Sequence, residues 1–244
     1  MKYSTTVTNN IILDLIKRKK GEYTEFIFLV CKAVMKRIFK YISITIFILL
    51  FILAATTINN YFKTPKIVEN YYNQGIIEYN FNNLPIEYQN ILIKVQDPDF
   101  YNHKGIDLHT PGAGWTTITQ SLAKFFYFDE FKQGWRKVPQ TAYARFALHP
   151  NVEKETQLEV FINIIGFGND TKGILSASQF YYKKLPEELS EDEFISLIAT
   201  INNPKNLNPK DNPDANMERV RKIKKYITGE YIPKNVFDNE YEGA

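Results

Sequence analysis

A mainly α-helical body behind one membrane-spanning helix is the fold class predicted, on three observations. Tyr41 to Ile58 is a run of 18 residues without a charge, close to the length that a helix needs to cross a bilayer. Beyond it, apolar residues recur at helical spacing, as in Leu158, Phe161, Ile162 and Ile165, which places one stripe on a helix face. No segment sustains the apolar–polar alternation of a half-buried strand.

The elements follow in chain order. Residues 1–40 carry nine Lys or Arg against three acids, and residues 41–244 carry 21 against 24. A basic arm ahead of a near-neutral body excludes a general nucleic-acid binder. Residues 1–37 read as a basic amphipathic arm on the inner leaflet, with Ile11, Ile12, Leu15 and Ile16 ahead of the Lys17–Lys20 cluster. The transmembrane helix is placed at 38–58, with Lys40 snorkelling to the headgroups. Lys32, Lys36, Arg37 and Lys40 flank it on one side, so the positive-inside rule puts the N-terminus in the cytoplasm and the body outside. A cleaved signal peptide is disfavoured by the long segment ahead of the apolar run. The one cysteine, Cys31, lies on the cytoplasmic side, so the outer body relies on its core rather than on a disulfide.

Residues 59–83, rich in Tyr and Asn, read as a connector with one short strand over Gly75–Asn80. The compact domain is set at 84–230 and a C-terminal tail at 231–244. Pro85 opens a helix to Val95, and Thr116–Phe126 carries Ile118, Leu122 and Phe125 on one face. Ser190-Glu191-Asp192-Glu193 is a capping box ahead of Phe194, Leu197, Ile198 and Ile201. Met217–Ile227 is a final basic helix. Trp115 and the aromatic run Phe125–Phe128 divide between core and membrane-proximal surface.

Two motifs carry the chemistry. Gln96-Asp97-Pro98-Asp99-Phe100-Tyr101-Asn102-His103-Lys104-Gly105 resembles E-D-x-x-F-x-x-H-x-G, and Gly114 to Lys124 (GWTTITQSLAK) resembles G-G-S-T-I-T-Q-Q-L-x-K. Arg136-Lys137-Val138-Pro139-Gln140 resembles R-K-x-x-E, and Lys154 to Asn163 resembles K-E-x-x-L-E-x-Y-L-N. Phe167-Gly168-Asn169 with Gly173 resembles F-G-x-x-x-x-G, and Ala177 to Lys184 resembles A-A-x-x-Y-F-x-K. In this order the motifs resemble the peptidoglycan glycosyltransferases, family 51 of the glycosyltransferases, over roughly Leu84 to Ile227.

The resemblance implies a lysozyme-like fold and the polymerisation of lipid II, an acceptor 4-hydroxyl attacking an undecaprenyl-pyrophosphate-linked glycan. It implies lipid II, that glycan and membrane lipids as partners, with other cell-wall synthesis proteins, and no nucleic acid. It implies the outer face of a bacterial cytoplasmic membrane. It implies no cofactor, beyond a divalent cation that could assist the pyrophosphate. Lys124, Arg136 and Lys137 fall at its pyrophosphate-binding positions, where two phosphates need fixed cations. Phe100, His103, Thr117, Gln120 and Ser121 fall at its other substrate-contacting motif positions. With three His in the chain and no clustered ligand pattern, His103 reads as bonding within its own motif rather than as a metal ligand. No penicillin-binding domain is expected downstream.

The catalytic positions are Gln96, Asp97 and Gln140, and here the sequence departs from the family, which has Glu at the first and third. An amide can hold a hydroxyl but cannot take its proton, and loss of a general base costs about 10²–10⁴-fold. Ser121 stands in place of a second Gln, Phe125 in place of Asn, and the link from Gly105 to Gly114 is short. Three readings stay open. One is a glycosyltransferase with a relocated base, Asp97 or Asp99. Another is an inactive membrane protein that binds lipid II or glycan and regulates wall synthesis. The weakest is a hydrolase, because glycoside cleavage also needs a carboxylic acid.

Overall fold

A computed structural model describes the backbone of residues 3–132 and 134–244, and side chains from residue 34 onward apart from residue 133, together with those of Phe28, Cys31 and Lys32. Of the arm expected to be amphipathic over residues 1–37, the side chains of 1–27, 29, 30 and 33 lie outside the described residues. The chain forms two compact units, residues 1–54 and 55–244. Helix α1 runs Tyr3–Asn73. It includes Val34–Asn73, long and apolar enough to cross a membrane.

The second unit is helical: α2 (Ile86–Gln96), α3 (Ile118–Tyr127), α4 (Lys137–Tyr143), α5 (Lys154–Ile164), α6 (Ile174–Tyr182), α7 (Glu191–Asn202) and α8 (Pro213–Thr228). A π-helical turn, Ala144–Leu148, follows α4. Its core gathers Leu92, Phe100, Leu122, Leu158, Phe161 and Phe194, each at most 1% exposed. The capping box read at Ser190 and Glu193 starts α7. The aromatic run divides, with Phe126 buried against Tyr71 and Phe125 exposed.

The connector differs from its sequence reading. Residues 59–73 are the last turns of α1, and Ile67, Val68 and Tyr71 pack on the core. Pro65 lies inside this helix. It has no N–H for the Tyr61 carbonyl, and Asn151 Nδ2 donates to that carbonyl instead, at 3.2 Å. The strand expected at 75–80 is absent; among the described residues the only bridge is Gly166 with Lys172. A side chain takes the place of a partner strand. Asn163 Oδ1 accepts from the N–H groups of Glu78 and Tyr79 at 3.0 and 2.9 Å, and its Nδ2 donates to the Tyr79 carbonyl at 2.7 Å. Asn163→Ala strands the buried Tyr79 N–H, whereas Glu78 is exposed and its N–H lies near solvent. It is therefore expected to cost about 1–3 kcal/mol, the scale of one unsatisfied buried group, read as a lower denaturant midpoint at unchanged slope.

The turn resembling F-G-x-x-x-x-G closes through Phe167 N–H to the Thr171 carbonyl at 3.0 Å and Thr171 N–H to the Gly168 carbonyl at 2.9 Å. Gly168 has φ +80°, and a Cβ there would lie 2.4 Å from the Pro204 carbonyl oxygen. Only glycine meets both demands.

Candidate functional site

The first motif is a turn held shut by its own polar residues. Asp97 caps the end of α2 and is fully buried. Both its carboxylate oxygens lie 2.9 Å from His103 Nε2, and Oδ2 also accepts from Ile118 N–H at 2.9 Å. His103 Nδ1 accepts from Gly105 N–H at 3.0 Å. Nδ1 is thus the lone-pair nitrogen, and Nε2 carries the proton donated to Asp97. Ile118 is the first residue of α3, so one carboxylate joins the first motif to the start of the second. Phe100 is fully buried. Lys154 sits 4.0 Å over its ring and donates to its carbonyl. Burial holds the Lys154 ammonium down to about 8 against the opposing pull of Asp97, Asp99 and Glu155.

Thr117 and Gln120 form the capping box of α3. Thr117 Oγ1 accepts from Gln120 N–H at 3.0 Å and donates to the Gly105 carbonyl at 2.9 Å. Gln120 Nε2 reaches Thr141 Oγ1 on α4 at 2.9 Å. Asp97, Phe100, His103, Thr117 and Gln120 are therefore brought together as the buried frame beneath the site, their polar groups engaged with one another. Ser121 is half-buried on α3.

Above the frame, α3 and α4 wall a cleft of about 290 Å³ lined by Trp115, Thr116, Lys124, Phe131, Lys137 and Gln140. Lys124 projects from the last turn of α3, 5.5 Å from the Phe131 ring, and burial lowers its pKa. Lys137 opens α4 and donates to Thr116 Oγ1 at 2.7 Å. Burial, and then the nearby charge of Lys124, bring its pKa down to about 8. Of the described residues lining the cleft, none carries a carboxylate. The site is cationic and lacks an internal counter-ion, the condition in which an anion binds best.

Gln140 lies at the base of the cleft, fully buried. Its Nε2 donates to the Gln120 carbonyl at 2.6 Å, which fixes the amide orientation and leaves Oε1 buried without a partner. Arg136 is not brought to this cleft. Its guanidinium donates to the Glu130 carbonyl and lies 5.9 Å over the Trp135 ring. Gln96, half-buried at the end of α2, donates to the Ile198 carbonyl of α7 at 3.3 Å. A carboxylate could not make that bond, so the amide suits its local setting. Trp115, read as core or membrane-proximal surface, is instead exposed and lines the cleft, and Thr116 and Phe131 are cleft residues that sequence reasoning did not assign. For Trp115 and Thr116 the one signal was adjacency to Thr117 in the second motif.

The Transglycosylase family model matches residues 63–228. Penicillin-binding protein 4 of Bacillus subtilis is 30% identical over 173 residues, 66% of this chain and 27% of that protein. Penicillin-binding protein 1F of the same organism is 31% identical over 153 residues, 57% of this chain and 21% of that protein. Penicillin-binding protein 1A of Rickettsia bellii is 27% identical over 183 residues, 68% of this chain and 22% of that protein. The chain spans about a quarter of the length of these relatives.

Proposed function

This chain belongs to the transglycosylase family of peptidoglycan glycosyltransferases, and from that premise we propose that it binds lipid II at the outer membrane face and holds it without polymerising it. The carrying observation is the cleft: Lys124 and Lys137 converge with no carboxylate among the described lining residues, around an amide at Gln140. Two ammonium groups there suit the pyrophosphate of an undecaprenyl-linked glycan. Polymerisation needs in addition a base within hydrogen-bond reach of the acceptor hydroxyl. Gln96 and Gln140 both spend their amide N–H groups on backbone carbonyls, and neither can take a proton. The basic flank of the apolar helix favours a cytoplasmic N-terminus and an outer body.

The test is equilibrium binding of lipid II to the purified full chain in detergent, beside a gel assay for glycan strands. Saturable binding with no strand formation is expected. Polymer formed by the parent protein would overturn the reading. If that activity also fell in Asp99→Asn, the base would have moved to Asp99, a half-buried carboxylate that accepts from Asn102 Nδ2 at 2.7 Å.

A further inference from the structure

Residues 231–244 lie beyond the span that the family model matches, yet they pack against a residue that lines the cleft. The segment folds back over the short link between the first two motifs. Gly112 N–H donates to the Asn235 carbonyl at 3.0 Å, and Gly114 N–H to the Val236 carbonyl at 2.7 Å. Both glycines have positive φ, and a Cβ on Gly112 would meet the Pro233 ring and one on Gly114 the Asn239 side chain, each at under 3 Å, so glycine at both leaves room for the segment's side chains. Tyr241 anchors the end of the segment, fully buried under Arg219, whose Nη2 donates to the Asn239 carbonyl at 2.7 Å. Asp238 accepts from Tyr231 Oη at 2.6 Å and from Lys234 N–H at 2.9 Å, which fixes the turn between.

This architecture sets one side chain, Phe237, against a residue of the cleft wall. Phe237 stacks on Trp115 with centroids 4.2 Å apart and planes at 23°. Trp115 lines the cleft, and 66% of its surface is still exposed. It stands where the motif G-G-S-T has its second glycine, so the indole is an addition to the pattern. The cleft therefore offers two cations and a broad aromatic surface held from behind. A prenyl chain brings no polar group for the ammonium groups, whereas a pyranose brings hydroxyl oxygens that accept from them and an apolar C–H face for the indole.

We propose that Trp115, braced by Phe237 of the C-terminal segment, is the platform on which a sugar ring of the pyrophosphate-linked glycan stacks. The inference rests on the lipid II reading above. It makes Trp115 a specificity determinant that separates a glycosylated pyrophosphate from a bare one.

The test compares binding of lipid II and of undecaprenyl pyrophosphate to the full chain and its variants. Trp115→Ala is expected to weaken lipid II binding about tenfold, the effect of losing roughly 60 Å² of apolar contact. Undecaprenyl pyrophosphate binding should stay within about twofold, and it doubles as the control for folding. Trp115→Phe should recover most of the loss. Phe237→Ala should cost about threefold on lipid II alone, the scale of one aromatic pair. Equal weakening of both ligands by Trp115→Ala, or no weakening of lipid II, overturns this proposal and leaves the lipid II reading standing. A parent protein that binds neither ligand overturns both.

Discussion

Asp97→Ala is expected to destabilise the body by about 2–6 kcal/mol, one to three for each of two buried donors left without an acceptor. The donors are His103 Nε2–H and Ile118 N–H. Against a total stability of about 5–15 kcal/mol, that loss consumes much of the margin. Asp97→Asn should recover only part of it. One amide oxygen can still serve Ile118 N–H, but the amide nitrogen then faces the protonated His103 Nε2. The ring cannot exchange tautomers to relieve this, because Nδ1 already accepts from Gly105 N–H. Thermal or denaturant unfolding of the full chain checks the order: parent, then Asn, then Ala. An alanine variant that melts within a few degrees of the parent would show that the Asp97 network does not hold the site together. Asp97 fell at a catalytic position in the sequence reading; fully buried and bonded on all sides, it acts as the pin between α2 and α3.

The parts of the fold legible in the sequence were those with local signatures. The capping box read at Ser190 is a short-range pattern in which hydroxyl and carboxyl sit three residues apart, and it starts the helix read from it; the box of Thr117 and Gln120 that starts α3 has the same spacing but was not read. Of the stripe Leu158, Phe161, Ile162 and Ile165, the first three face the core for the same reason, while Ile165 is the half-buried C-cap just past α5. Helix α4 had no such signature: it is seven residues long, with Pro139 in its first turn, where proline is tolerated but advertises a break. The strand read at 75–80 failed because its backbone partners come from Asn163, more than eighty residues away. A side chain that imitates a strand leaves no periodicity.

Within the candidate site, the lysines were found through motif resemblance, and the structure adds what spacing could not say. Lys124 and Lys137 share the cleft, while adjacent Arg136 turns to Glu130. One residue of helical phase separates these outcomes. The stack of Trp115 on Phe237 joins residues over 120 positions apart, and only tertiary packing of the 231–244 segment on Gly112 and Gly114 brings them together. That segment was read as a tail because its polar, turn-rich composition carries no core pattern of its own.

The second large effect is a pH dependence of ligand binding centred on Lys137. Its ammonium is held down to about 8, chiefly by burial and then by Lys124, whereas in the unfolded chain it returns to the ordinary lysine value near 10.4. Pyrophosphate binding draws on the charged form. Affinity for undecaprenyl pyrophosphate should therefore be full below about pH 7 and fall as pH rises through 8, approaching tenfold per unit above it. Folding stability runs the other way. Between about 8 and 10.4 the unfolded chain binds more protons at this site than the native one, so Lys137's contribution to stability rises with pH. Affinity and stability moving in opposite directions over one window is a signature that simple alkaline loosening of the fold cannot produce. Lys137→Met removes the titrating group. It should weaken binding at pH 7 by about 10–100-fold, the scale of a hydrogen bond to a charged group, and flatten the pH profile of what remains. Retention of the steep fall above pH 8 in Lys137→Met would assign it to another group, and Lys124, whose charge presses on Lys137 across the cleft, is the next to replace.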